Sequence, residues 1–306
     1  MKQKLLPLAA AAVLLMTLTA CQNSGQTVQQ QHDQTEEVYT LTLSDAKVEL
    51  DGQELPEDTE DGRVTVTHNI VYYQSGMGAD YGEGTASDEH TPEEALAHKV
   101  VTIRQPGTYR VSGTLTAGQL AVDLGEEAKS DPGAVVTLIL DGVDINCTVA
   151  PAVIFYRVYE CDTDWVSYDE GAAEDYQSAS TQDTSGAGAN VVLADGSVNH
   201  ISGSYVARIY QEGTTKKLHK YDGAFYSRMS MNISGETEGT GTLSITAANE
   251  GLDSELHLTI NGGTILIQAR CRIWKRPSHT EHYTKCNHIL LCQVIHNFLC
   301  YWILDH

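Results

Sequence analysis

The sequence predicts an all-β chain and, within that class, a right-handed parallel β-helix, with a β-sandwich as the alternative. Three observations carry this expectation. Short β-branched runs closed by Gly, Asp-Gly or Asn-Gly recur between residues 38 and 268. No segment in that span sustains a long 3.6-residue apolar period. Two neighbouring stretches repeat at constant offsets.

Taken in order, the expected strands are Tyr39–Leu43, Arg63–Thr67, Val100–Ile103, Tyr109–Ser112, Leu120–Asp123, Val135–Leu140 and Val153–Val158. They continue with Asn190–Leu193, Met229–Ile233, Leu243–Thr246, Leu256–Ile260 and Thr264–Gln268. The one short helix expected is TPEEALAHK, Thr91 to Lys99, with Thr91 as cap and Pro92 in the first turn. The repeat aligns Ser227, Met229, Met231, Ile233 and Gly235 with Ser254, Leu256, Leu258, Ile260 and Gly262, an offset of 27. A second strand follows each copy, Gly241–Thr246 and Gly263–Gln268, at an offset of 22, so the first copy holds five extra residues in its turn. An acidic-Gly pair precedes each copy, Asp222-Gly223 and Glu250-Gly251, and the upstream strands end near Asp141-Gly142 and Asp195-Gly196. Units of this length, with glycine corners, suit coils that stack like residues roughly 4.8 Å apart. A sandwich does not require two copies in register.

Charge and the two ends set expectations about compartment and partners. The chain of 306 residues has a net charge of −22; residues 1–21 carry +2 and the last 37 carry +3, which leaves −27 for the residues between. Such a body repels phosphate backbones, so no nucleic-acid partner is expected, whereas divalent cations suit it. Lys2 and Lys4 precede an apolar run that ends in Leu18-Thr19-Ala20-Cys21. A basic start, a run too short for a membrane span and small residues before a Cys read as a lipoprotein signal peptide over 1–21, with Cys21 as the lipidated residue. Residues 22–37, nearly devoid of apolar side chains, read as a flexible tether. The expected location is the extracytoplasmic face of the cell membrane, reached through the lipid anchor alone.

The motif order resembles a family: the bacterial carbohydrate-binding β-helix proteins related in fold to pectate lyases. The residues that carry the resemblance are Pro106-Gly-Thr-Tyr-Arg-Val-Ser-Gly-Thr114, Gly118-Gln-Leu-Ala-Val122, Val136-Thr-Leu-Ile-Leu-Asp-Gly142, Val191-Val-Leu-Ala-Asp-Gly-Ser-Val-Asn199, Asp222-Gly-Ala-Phe-Tyr-Ser227 and the repeat. The resemblance implies an extracellular, calcium-associated protein that binds polysaccharide, in particular acidic polymers such as polygalacturonate, over a domain spanning 38–269. It does not imply catalysis. A pectate-lyase-like polysaccharide lyase is one alternative, and a structural or adhesive surface protein without a sugar ligand is another. Insertions at 68–98 and 161–188 depart from the pattern.

Candidate site residues follow. Calcium takes six to eight oxygen ligands, and Asp222, Asn249, Glu250 and Asp253 fall at corresponding corners of successive expected coils. The competing reading is solvated acids in Asx-type turns. Asp141, Asp195 and Asn199 are expected to be structural, bonding backbone at repeated corners. For sugar contact, an aromatic face with convergent polar groups is needed. Trp165 and Tyr168 in the second insertion are candidates, set against a role anchoring that loop. Lys216, Lys217 and Lys220 lie in a basic cluster that also holds Arg208 and Arg228; they could meet uronate carboxylates or merely be solvated. No Ser/His/Asp hydrolase motif or phosphate-binding glycine loop is present.

From Arg270 to His306 the composition changes. This segment holds four of the seven Cys, five of the twelve His and two of the three Trp. On a helix, Cys292, His296 and Cys300 would share a face and could bind zinc. The favoured reading is a frameshift that replaces the next coil, testable in the other two reading frames of the gene. A disulfide between Cys147 and Cys161 is left open.

Overall fold

The two repeat copies lie directly on one another. A computed structural model describes residues 37–74, 82–83, 88–161, 183–210, 217–271, 286–293 and 300–303. In it Met231–Gly235 runs parallel to Leu258–Ile260, with Met231 opposite Leu258 and Ile233 opposite Ile260. Thr242–Ala247 runs parallel to Thr264–Cys271, with Thr242 opposite Thr264 and Ile245 opposite Ile267. These are the pairs expected at offsets of 27 and 22. The chain is all-β apart from short helical turns.

The same parallel pairing extends towards the N-terminus. Val38–Leu43 pairs with Gly107–Leu115, which pairs with Val136–Asn146. That eleven-residue strand then serves two columns. Its first half pairs with Ala189–Leu193, which continues to Met231–Gly235. Its second half pairs with Val198–Gly203, which continues to Thr242–Ala247. A second sheet is built in the same way from Lys99–Ile103, Gly118–Asp123, Val153–Arg157, Gly223–Ser227 and Glu250–Ser254. Antiparallel strands close the edges: Val64–Thr67 on the second sheet, Glu49–Leu50 and Gln53–Glu54 on the first. A small third sheet joins Gly82–Glu83, Val206–Tyr210 and Lys217–Tyr221.

In-register pairing places like side chains on one another. Leu115, Ile145, Ile201, Ile245 and Ile267 form one file across five strands. Val101, Leu120, Val153, Phe225 and Leu252 form another. All but Ile267 and Leu252 are fully buried, and those two pack against the same core. Each such side chain contributes roughly 1.5–3 kcal/mol on burial, so these files are the main source of cohesion between distant segments.

Two positions in the first sheet need special backbone. The pairing of Gly107–Leu115 with Val136–Asn146 slips between Val111 and Gly113. Gly113 there has φ of 98°, and a Cβ would lie 2.2 Å from the Leu43 carbonyl oxygen; only glycine fits such a bulge. The second position is the corner after Leu140, where Asn199 bonds backbone as expected. Its Oδ1 accepts the Gly142 and Val143 N–H groups, both at 3.0 Å. Its Nδ2 donates to the Thr242 carbonyl at 3.0 Å and the Ser197 hydroxyl at 2.9 Å.

The first sheet alternates. Val136–Asn146 reads buried at every inward position and half-buried or exposed at the others. The second sheet does not: Lys99–Ile103 and Gly223–Ser227 are buried on both faces. Ile70, Tyr73 and Ala95 from the first insertion join its core. Ala95 belongs to the expected helix, Pro92–Leu96, whose Thr91 and Glu94 form a capping box at 3.2 and 2.7 Å. His98 fastens this segment to the body. The Thr148 N–H donates to its Nε2 at 3.2 Å, so the ring proton sits on Nδ1 and donates to the Glu94 carbonyl at 2.8 Å.

Several expectations change. The strands Gly223–Ser227 and Glu250–Ser254 occupy what the sequence suggested were turns. Their register sets Gly223 opposite Glu250, so the acidic-Gly pairs are offset by one residue from each other. In the tail, Cys286–Gln293 is an antiparallel strand on Thr264–Cys271, and Cys300–Ile303 pairs with it in turn. A helical row through Cys292 and Cys300 is therefore not formed: Cys292 sits opposite Cys300 across two strands. His296 lies outside the described residues. No disulfide joins Cys147 to Cys161.

Candidate functional site

Three of the four expected metal-binding residues meet at one corner. The Asp222 carbonyl accepts both the Glu250 N–H and the Asn249 Nδ2, each at 3.2 Å. Asn249 thus bonds the backbone of the adjacent strand, as an Asx corner does. Asp253 stands further along, opposite Tyr226. The Tyr226 phenol donates to Glu255 Oε1 at 2.8 Å. Burial above all, followed by the nearby charges of Glu255, Asp253 and Asp222, raises this phenol far above its ordinary range.

Asp222, Asp253 and the Asn249 amide oxygen offer only hard oxygen donors, the chemistry calcium takes. Among the described residues no group of three or more His, Cys, Asp or Glu side chains converges in a metal-binding arrangement. The buried Glu160 is already committed, its two oxygens accepting the Ser230 N–H at 2.7 Å and hydroxyl at 2.8 Å.

The expected sugar-contact residues are placed less completely. Trp165, Tyr168 and Lys216 lie outside the described residues, as does Cys21. Lys217 and Lys220 belong to the strand Lys217–Tyr221 of the small sheet, and Arg208 pairs opposite Glu83 in the same sheet.

A cleft that sequence reasoning missed lies at the start of the first sheet. It encloses about 340 Å³ and is lined by Glu37, Tyr39, Arg63, Gly107, Thr108 and Thr137 among others. Thr108 and Thr137, paired partners on adjacent parallel strands, lie along its margin. Tyr39 is likewise in register with Tyr109, their rings 5.4 Å apart. The Arg63 guanidinium sits 4.1 Å over the Tyr39 ring, a cation–π contact worth about 0.5–1 kcal/mol. Its Nη1 donates to the Pro106 carbonyl at 3.0 Å and to the Tyr109 hydroxyl at 3.3 Å. The Tyr39 hydroxyl donates to Glu37 Oε2 at 2.8 Å, and that bond is the first cause of its raised pKa, with Arg63 pulling the other way. The cleft therefore presents an aromatic ring, a cation and a carboxylate within one concavity. The signal available in the sequence was the alignment of Val38-Tyr39 with Thr108-Tyr109 at an offset of 70.

Comparison with known proteins bears on this arrangement. Residues 97–190 match the sequence profile of a family described as "Carbohydrate-binding domain-containing protein". A protein of the same description from Acetivibrio thermocellus is 27% identical over 205 residues, covering 67% of this chain and 54% of that one. The chain thus spans about half the length of the curated relative it matches. A solved structure described as the polysaccharide lyase-like protein from C. thermocellum, in a gadolinium derivative, aligns with a TM-score of 0.41 and 19% identity, over 76% of this chain and 62% of that chain.

Proposed function

We propose that this chain is a polysaccharide-binding protein whose parallel columns are the coils of one right-handed β-helix. The carrying observation is the carbohydrate-binding match over 97–190, a segment that supplies strands to both large sheets. In-register parallel pairing between segments 27 to 70 residues apart supports the coil reading. The polymer is acidic, of the polygalacturonate kind, and calcium bridges its carboxylates to a body that would otherwise repel them. Asp222, Asp253 and Asn249 would hold such an ion between neighbouring strands. Cys21 carries a lipid that keeps the domain at the outer face of the membrane, consistent with a basic, short apolar start.

The test is retention of the purified chain on a panel of immobilised polysaccharides, polygalacturonate and neutral glucans included, with millimolar calcium and again with a chelator. Retention on polygalacturonate that the chelator weakens is the expected result. Retention by no polysaccharide under either condition overturns the proposal and favours a purely adhesive or structural role. Release of unsaturated uronides during the same incubation would instead assign a lyase.

A further inference from the structure

The geometry points to the cleft bounded by Glu37, Tyr39, Arg63, Thr108 and Thr137 as a glycan subsite that grips the vicinal hydroxyl edge of one pyranose unit. This inference rests on the polysaccharide-binding reading and adds to it where one sugar sits and which of its edges is read.

The argument begins with the donors and acceptors. An ionised carboxylate only accepts hydrogen bonds and a guanidinium only donates them. A ligand group that satisfies both at once must do both, and a hydroxyl does. Two adjacent hydroxyls on a pyranose, one donating to Glu37 and the other accepting from Arg63, match this pair without leaving either charge unpaired. Arg63 commits Nη1 to the Pro106 carbonyl and the Tyr109 hydroxyl, and among the described residues its Nη2 and Nε make no hydrogen bond. The arginine is therefore held in place with donors to spare.

A ligand carboxylate fits the same space poorly. It would enter beside Glu37, on a chain whose net charge is −22. The cleft thus reads a feature common to neutral sugars and to uronates alike, and it does so without an ion. The acid groups of a polymer would lie outside it.

Gly107 lets this pair sit close against the strand. A Cβ at that position would lie 3.2 Å from Tyr39 Cε2 and 3.7 Å from Arg63 Nη1, so a larger residue there would push the aromatic wall and the cation out of place.

The experiment is isothermal titration of the full chain with trigalacturonate and with its fully methyl-esterified form, both in chelator. Wild type is compared with Glu37→Gln and Arg63→Lys. Thermal melts check that each variant is folded. The expected result is that wild type binds both ligands and that each variant weakens both by roughly tenfold, the effect of losing one or two hydrogen bonds. Wild-type binding that no folded variant alters overturns the subsite while leaving the polysaccharide-binding reading intact. Binding of the acid form alone, lost in Arg63→Lys, overturns the hydroxyl-edge assignment. Failure of wild type to bind either trisaccharide also overturns the subsite, and retention on the polysaccharide panel then decides separately whether the broader reading survives.

Discussion

Replacing Asn199 should cost more than any surface change of similar size. The side chain is fully buried and touches three consecutive segments of the first sheet. In Asn199→Leu, the buried Val143 N–H loses its acceptor, while the exposed Gly142 N–H can turn to water. A buried orphaned donor costs about 1–3 kcal/mol and an ordinary lost hydrogen bond about 0.5–1.5, so the two together cost about 1.5–4.5. The extra apolar burial of leucine returns about 1 kcal/mol. The net expectation is a loss of about 2 kcal/mol. With a urea m-value of roughly 3 kcal/mol per M for a domain of this size, the unfolding midpoint should fall by about 0.7 M at unchanged m.

Asn199→Asp sharpens the test. Its carboxylate still accepts from both amides, yet the former amide edge now faces the Thr242 carbonyl and the Ser197 hydroxyl as an acceptor. Protonation restores a donor there. The variant's folded-state pKa is thus raised, and its stability relative to wild type is greatest at acid pH and declines as pH rises through that value. Equilibrium urea titrations by circular dichroism at two pH values measure both effects. A loss below about 1 kcal/mol for Asn199→Leu, or no pH-dependent recovery for Asn199→Asp, would refute the corner-bond reasoning.

Further outcomes follow from other residues. Gly113→Ala places a methyl against the Leu43 carbonyl at a positive φ and should lower soluble yield and the melting temperature by several degrees; an unchanged melt would show that the bulge can relax. His90 is held below its ordinary pKa of 6.5, chiefly by burial and with His98 adding to the effect. Its neutral form is the one the fold favours, so this contribution is present above 6.5 and is lost as pH falls through the lower folded value; the melting temperature should drop more steeply on acidification in wild type than in His90→Gln. Burial pushes the Cys147 thiol up to about 11, whereas Cys161 is half-buried. Alkylation at mildly alkaline pH, followed by peptide mass spectrometry, should therefore modify Cys161 well before Cys147, and equal rates would contradict the burial of Cys147.

What was legible in the sequence was whatever repeats locally. Met231 over Leu258 and Thr242 over Thr264 could be read because a fixed offset leaves the same alternation twice within sixty residues. Asn199 was legible as a corner residue for the same reason. Strands such as Gly223–Ser227 were hidden because they are buried on both faces and so show no alternation; glycine and aspartate made them look like turns. The cleft was hidden by distance. Tyr39 and Tyr109 become neighbours only through parallel pairing across seventy residues, and Arg63 reaches them from just before an antiparallel edge strand of the other sheet. No local pattern encodes that meeting.

The strand Val136–Asn146 has a mechanical consequence. Because one continuous segment is hydrogen-bonded to the first strand of one column and to the first strand of the next, peeling either column away must load the other through a shared beam. Tension applied to the chain should meet its steepest resistance there, and the amides of Leu138 to Ile145 should be among the last to exchange with deuterated solvent.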